Sequence, residues 1–208
     1  MSPGHGATCS HDHDCGAHSC GADWSLYKTV DIPRVRALNE AVDGSAKTVI
    51  KTWERRLDFS TYVESEDDPE LIIFIPFTAD VKIKSISIIG GVDGTSPSKM
   101  RVFLNREDID FANANDVNPV QEWELAENLR GELEYQTRYP KFQGIANITL
   151  HFSGNFGGDV TRIHYIGFRG ESTQMTRKPV TNVVYELMPQ LKDHKTKAEH
   201  GGAWNPVV

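Results

Sequence analysis

The chain has 208 residues and carries 22 Lys and Arg against 29 Asp and Glu, which gives a formal net charge of −7 with histidine neutral. That length suits one domain with tails, and the acidity argues against a nucleic-acid or anionic-membrane partner, because both need a cationic footprint. No apolar stretch approaches the roughly 20 residues that span a bilayer, and none near the N-terminus resembles a secretory signal. We therefore expect a soluble protein of the cytoplasm, with the nucleus as an alternative location.

Residues 1–22 form a leader rich in His, Cys, Gly and Asp, without hydrophobic periodicity. Imidazole and thiolate are ligands that zinc prefers, and in an extended chain residues 11, 13 and 15 point to one side. The candidate zinc ligands are His11, His13, Cys15, His18 and Cys20. Their spacing matches no standard finger, and the same composition is typical of a disordered tract or of adventitious zinc or copper binding. The cysteines are three in number and all lie in the leader, which argues against a disulfide framework. They form no C-x-x-C pair, which argues against a thioredoxin-type redox centre.

Residues 23–190 carry nearly all of the large apolar side chains and predict one folded domain. A short helix is predicted near its start. Asp31 can cap this helix, Pro33 suits its first turn, and Gly44 can end it. Between these residues, apolar side chains recur at helical spacing at Val35, Leu38 and Val42.

Beyond this helix the dominant pattern is that of β-strands. Residues 71–77 are a continuous apolar run behind an acidic turn, which predicts a strand covered on both faces. Residues 81–89 are rich in β-branched side chains, and their alternation changes phase near Ser85, which indicates a bulge or two-sided burial. Residues 100–105 and 147–152 alternate apolar with polar side chains, and the second of these predicts a half-buried strand. Further strands are predicted at 160–169 and 180–187. Too little helix remains for parallel crossovers, so the pattern favours an all-β antiparallel sandwich or jelly roll.

Residues 191–208 are polar and cannot bury enough apolar surface to offset the entropy of ordering them, which predicts a flexible tail. As an alternative, the tail would order on a partner, with Trp204 as an aromatic anchor. The candidate partner-binding residues are Asp193, His194 and Trp204.

Catalytic motifs are missing from the sequence. We find no nucleotide-binding glycine loop, no complete nucleophile elbow and no H-E-x-x-H pair. His151 and His164 are interpreted as polar positions on a sheet face rather than as catalytic groups. Core packing is the preferred interpretation of Trp24, Trp53 and Trp123, with the floor of a sugar site as the alternative. We predict that the chain is not an enzyme and that it needs no cofactor, apart from the candidate zinc in the leader.

An ordered set of stretches between residues 23 and 190 resembles the PITH domain family. The stretches are 64–65 with 70–77, then 81–84, 96–101, 129–135, 155–159 and 165–171, the last of which reads Tyr-Ile-Gly-Phe-Arg-Gly-Glu. The resemblance implies a galactose-binding-like jelly-roll β-sandwich. It also implies a partner, the 26S proteasome regulatory particle. In the protein after which the family is named, the PITH domain follows a thioredoxin domain and docks that protein to this particle. This chain shows no thioredoxin domain and no C-x-x-C pair, so reductase activity is not carried over.

Together these features predict a non-catalytic interaction module that acts as a proteasome-associated adaptor or regulator. The alternative is a small-ligand binding protein. It would hold a sugar-like group at the jelly-roll loops, or a metal ion in the leader.

Overall fold

The computed structural model describes residues 24–176. These residues form eight β-strands connected by loops and by short 3₁₀ helices. The strands are β1 (Arg36–Leu38), β2 (Val63–Glu64), β3 (Leu71–Gly90), β4 (Lys99–Leu104), β5 (Gln121–Glu124), β6 (Tyr135–Gln136), β7 (Ile145–Phe152) and β8 (Arg162–Thr176). The 3₁₀ helices are Tyr27–Thr29, Ile32–Arg34, Ser45–Val49, Trp53–Arg55 and Tyr139–Lys141. In this part of the chain no helix is long and apolar enough to cross a membrane.

The 20-residue strand β3 belongs to both layers of a β-sandwich. Its first part, 71–76, pairs with β7 on one side and with β1 on the other. Its second part, 81–90, pairs with β8 and β6. One layer is thus β1–β3–β7–β4–β5 and the other is β6–β3–β8–β2, with antiparallel pairing throughout. This is the antiparallel sandwich that the sequence predicts.

The core lies between the two layers and consists of aliphatic and phenylalanine side chains. The layer that contains β7 contributes Leu71, Ile73, Ile75, Met100, Val102, Ile148, Leu150 and Phe152, all of them inaccessible to solvent. The layer that contains β8 contributes Ile83, Ile86, Ile88, Ile163, Ile166 and Phe168 to the same cluster. Burial of so many large apolar groups is the main force that holds the two layers together.

The two apolar runs at 71–77 and 81–89 form one continuous strand rather than two. The register of pairing shifts between Pro76 and Val81 and again between Ile83 and Ser85. The second shift confirms the predicted irregularity near Ser85, because a bulge moves the side chains that follow it to the opposite face. The bulged strand is thereby able to leave one layer and enter the other.

The predicted helix near residues 31–44 is wrong. The chain there forms a single 3₁₀ turn, Ile32–Arg34, and then the short strand β1, which pairs with residues 72–74 of β3. Val35 is buried, whereas Leu38 and Val42 are exposed, so the three apolar residues share no common face. Pairing with the edge of β3 satisfies the backbone better than an isolated short helix, which is marginal in water.

Strand β7 is not half-buried as predicted, because both of its faces are covered. The polar residues Asn147, Thr149 and His151 are all buried. The segment that follows β4 covers this outer face with a second apolar cluster, which contains Ile72, Phe103, Ile109 and Ala114. Arg101 holds the segment in place, since its Nη1 donates to the main-chain oxygen of Ala114 at 2.6 Å.

The strand predicted at 160–169 is confirmed as β8, which starts at Arg162 and continues to Thr176. Three further predictions lie outside the described residues. They are the leader at 1–22, the strand at 180–187 and the tail at 191–208.

Candidate functional site

Both sets of predicted site residues lie outside the part of the chain that the structure describes. They are the candidate zinc ligands His11, His13, Cys15, His18 and Cys20, and the candidate partner-binding residues Asp193, His194 and Trp204. Both sites therefore stay predictions. Within residues 24–176, no group of three His, Cys, Asp or Glu side chains is close enough to hold a metal ion. The structure points instead to a surface that the sequence did not single out.

This surface begins at a loop that a buried lysine holds in place. Lys51 is only 7% exposed, and its Nζ donates to the main-chain oxygens of Asp58 at 2.6 Å and Thr61 at 3.0 Å. Burial lowers the pKa of Lys51, and the nearby Asp58 carboxylate opposes that shift. Hydrogen bonds that involve a charged donor are stronger than neutral ones, so Lys51 joins the two ends of a short loop, 58–61.

The same loop is also fixed from within by the Asp58 carboxylate. Its Oδ1 accepts hydrogen bonds from the amide of Ser60 at 3.1 Å and from the Ser60 hydroxyl at 2.5 Å, and its Oδ2 accepts one from Arg55 at 2.7 Å. These donors, the Ser60 hydroxyl first, lower the pKa of Asp58. A side chain that binds the backbone two residues further on is typical of a tight turn. The loop therefore has a defined shape without belonging to a strand or helix.

The loop and the residue that follows it, Tyr62, present two aromatic side chains to solvent. Phe59 is 45% exposed and Tyr62 is 42% exposed. Both pack edge-on against His164 of β8, with ring centroids 5.0 Å and 5.6 Å from that of the imidazole. The Arg162 guanidinium lies 4.6 Å from the centroid of the Tyr62 ring and forms an ion pair with Glu64. We call Phe59, Tyr62, Arg162 and His164 the aromatic surface.

His164 forms the base of this surface as a neutral ring. Burial is the main cause that lowers its pKa, and the charges of Lys51 and Arg162 lower it further, against a hydrogen bond with the backbone of Thr61. The imidazole therefore carries no proton charge at neutral pH and packs as an aromatic group. The sequence interpretation, a polar position on a sheet face, is correct in its place on β8 but misses this packing role.

A cleft of about 360 Å³ adjoins the aromatic surface on the side of Tyr62. Val42 and the tyrosine supply its apolar walls, and Thr48, Ser60 and Glu64 supply polar groups. Val42 is 68% exposed, whereas most valines are buried. The cleft extends the exposed apolar area beyond the two aromatic rings.

The other strand histidine is placed where no substrate can reach it. His151 is fully buried under the segment after β4, and its Nε2 lies 2.6 Å from Oε1 of Glu70. Burial lowers the pKa of His151, while the bond to Glu70 opposes that shift. The contact is a hydrogen bond between an imidazole and a carboxylate, and the burial of the ring gives it a structural role.

A third feature brings together two of the stretches on which the family resemblance rests. Arg169 on β8 forms an ion pair with Glu134 at 2.5 Å, and the guanidinium groups of Arg56 and Arg169 lie 4.1 Å and 4.3 Å from the centroid of the Trp53 ring. Burial raises the pKa of Tyr165, beside them, to about 12. These contacts fasten the segment before β6 to the outer face of β8. Trp53 is half-buried and packs against these arginines rather than in the core, and Trp24, which is 48% exposed, is not a core residue either. Of the three tryptophans, Trp123 packs against the core, as expected.

Comparisons with known proteins show which family and fold this chain resembles. The model of the PITH domain matches residues 16–189. PITH domain-containing protein 1 of Dictyostelium discoideum is 44% identical over 195 residues, which cover 91% of this chain and 96% of that protein. PITH domain-containing protein 1 of Homo sapiens is 39% identical over 200 residues, which cover 94% of each chain. These relatives are named for the domain and not for an enzymatic activity.

Among solved structures, the CBM32-1 and CBM32-2 domains of Clostridium perfringens ZmpB in complex with GalNAc are similar to this chain with a TM-score of 0.52 and 12% identity. The match covers 70% of this chain and 35% of that one. At such low identity the likeness concerns the fold alone, and it confirms the galactose-binding-like jelly roll. The match of the family model over most of the chain, with a relative that is 44% identical, gives one identification: the chain belongs to the PITH domain family.

Proposed function

We propose that this protein is a non-catalytic interaction module, an adaptor or regulator that binds the 26S proteasome regulatory particle in the cytoplasm, with the nucleus as a second location. The observation that carries the proposal is the aromatic surface, two exposed rings held on a fixed loop. The identity of the partner follows from the family resemblance.

The composition of the aromatic surface suits a protein partner. Tyrosine, phenylalanine and arginine are enriched at protein interfaces, where a few such residues contribute most of the binding energy. Phe59 and Tyr62 are already packed against His164, and Arg162 is already paired with Glu64. Little side-chain entropy is therefore lost on binding, and this preorganisation favours affinity.

The proposal is tested by affinity purification from cell extract with the full-length chain as bait. The wild type is compared with the double variant Phe59→Ala, Tyr62→Ala and with a control, Phe111→Ala, which removes an exposed phenylalanine elsewhere on the surface. We expect the wild type and the control to recover regulatory-particle subunits, and the double variant to lose them by at least about tenfold, because interface aromatic anchors each contribute about 1–2 kcal/mol or more. Equal recovery by all three chains excludes the aromatic surface, and failure of the wild type excludes this partner.

The alternative of a sugar-like ligand rests on the cleft beside Tyr62, which combines an aromatic ring with the polar groups of Thr48, Ser60 and Glu64. The structural relative from Clostridium perfringens was solved with GalNAc, and this supports testing the same ligand class here. A glycan array with the full chain decides the matter, since no signal on any glycan dismisses the alternative.

The zinc proposal for the leader is tested by metal analysis of tag-free protein, where less than one zinc per chain rejects it.

A further inference from the structure

A second cleft, of about 310 Å³, adjoins the cleft beside Tyr62 and shares Thr48 and Thr61 with it. Three cations line it, and we call it the basic cleft: Lys47, Lys51 and Arg55. Its other polar side chains all carry hydroxyl groups, namely Tyr27, Thr48, Thr52 and Thr61. No carboxylate belongs to this described lining, which stands out in a chain with a net charge of −7. Ammonium, guanidinium and hydroxyl groups are hydrogen-bond donors that match an oxyanion.

The positive charge of the basic cleft is only partly neutralised from within the protein. Asp58 pairs with Arg55 at 2.7 Å and is the carboxylate that acts on the charge of Lys51. Within residues 24–176, neither Lys47 nor Lys51 has a carboxylate oxygen within 4.0 Å of its ammonium nitrogen. Among the described residues, Asp58 is thus the one carboxylate that pairs with a cation of the cleft, through its bond to Arg55.

Lys51 strengthens the case for a ligand because it is buried and still has donor capacity. An ammonium group has three N–H donors, and the two main-chain oxygens of the loop accept two of them. Those oxygens carry no net charge, so no carboxylate of the described residues pairs directly with the buried cation. Burial lowers the pKa of Lys51, and an anion in the cleft would offset that cost.

We propose that the basic cleft binds the oxyanion of a partner polypeptide, a phosphorylated or acidic side chain, next to the aromatic surface. Thr48 and Thr61 line both the basic cleft and the cleft beside Tyr62, so one short peptide is long enough to reach both. A nucleic acid or an anionic membrane suits the cleft less well, because such polyanions need an extended cationic face and this chain is acidic overall. The identity of the partner rests on the proposed function; the anion site itself does not.

The first test measures binding of inorganic phosphate to the full-length chain by titration calorimetry and by amide chemical shifts. The variants Lys47→Gln and Arg55→Gln each remove one lining charge, and Lys141→Gln, an exposed lysine outside the cleft, is the control. We expect saturable binding that each cleft variant weakens by about threefold, the size typical of one exposed charge pair, while the control leaves it unchanged. Lys47 makes no ion pair in the described structure, so its variant reports on the ligand rather than on loop stability.

The second test compares three peptides of one sequence that carry phosphoserine, glutamate or serine at the anionic position next to a leucine. Tighter binding of the phosphoserine or the glutamate peptide supports the proposal and identifies the source of the oxyanion. Equal binding of all three peptides overturns the proposal. Phosphate binding that is absent, or that Lys141→Gln weakens as much as the cleft variants do, overturns it too. Tighter binding of an oligonucleotide than of the phosphoserine and glutamate peptides is a third refuting result.

The two proposals fail separately. If phosphate binds the cleft but no regulatory-particle subunit is recovered, the anion site stands and the proposed partner is wrong. If the Phe59 and Tyr62 double variant loses those subunits while phosphate does not bind, the interaction surface stands and the anion site is wrong.

Discussion

The substitution Lys51→Met tests whether a buried ammonium group gives the aromatic surface its shape. Methionine has a similar length and fills the same space, but it leaves the main-chain oxygens of Asp58 and Thr61 without their donor. Each unsatisfied buried carbonyl costs about 1–3 kcal/mol, and relief from burying a charge offsets part of that loss. We expect the loop 58–61 to open more easily by about 2 kcal/mol.

The assay is hydrogen exchange of the loop amides, read by mass spectrometry. Because 1.4 kcal/mol corresponds to a factor of ten, a loss of about 2 kcal/mol speeds exchange of the protected amides of Asp58 and Ser60 by about 30-fold. The matched control is Lys47→Met, a lysine four residues earlier whose ammonium group makes no hydrogen bond or ion pair with this loop in the described part of the chain. If exchange in Lys51→Met stays within about threefold of the wild type, the reasoning about the buried ammonium is refuted.

Three further outcomes are expected. Burial lowers the pKa of His164 below 6.5, so in mild acid the unfolded chain binds more protons than the folded chain. The free energy of unfolding should therefore be level above about pH 7 and fall towards pH 5. Urea denaturation across that range measures the fall, which His164→Phe should reduce. Gly170→Ala should destabilise the protein by about 3 kcal/mol, because the added Cβ would lie 1.9 Å from a main-chain oxygen of β3. Thermal denaturation measures the loss, and Gly154→Ala, whose added Cβ meets only ordinary contacts, is the control. Glu134→Gln should cost about 1–2 kcal/mol by leaving Arg169 without its ion pair, and an unchanged melting temperature would contradict this.

The part of the fold that the sequence predicted well is the part with local periodicity. The apolar run at 71–77, the dense run at 81–89 and the phase change near Ser85 all correspond to features of β3. The pattern could not join the two runs into one strand, because that depends on how β7 and β8 divide the length of β3 between them. This is a long-range property that no short window of sequence contains.

The errors have a common cause, which is tertiary pairing. Spacing at Val35, Leu38 and Val42 matches a helix, but the edge of β3 recruits the segment as a strand. Alternation at 147–152 matches a half-buried strand, but a segment from elsewhere in the chain covers the polar face. Local propensity is overridden in both places by a neighbour that is remote in sequence.

The aromatic surface was beyond the reach of sequence patterns for the same reason. Phe59 and Tyr62 lie in a stretch without periodicity, and they form a surface only through their packing with His164 and Arg162 on β8. The ion pair between Arg162 and Glu64 joins residues 98 positions apart. The one available signal was two aromatic residues within a polar loop, which is common and unspecific.

The shared strand β3 also has a consequence for synthesis on the ribosome. The hydroxyl of Thr173, on β8, bonds to the main-chain oxygen of Asp80, on β3, 93 residues earlier. At a translation rate of roughly 5–20 residues per second, the second part of β3, 81–90, waits on the order of 5–20 seconds for its partner strand β8 to emerge. During that interval the nascent chain exposes an unpaired strand that is prone to aggregation, so we expect holding chaperones to bind it there.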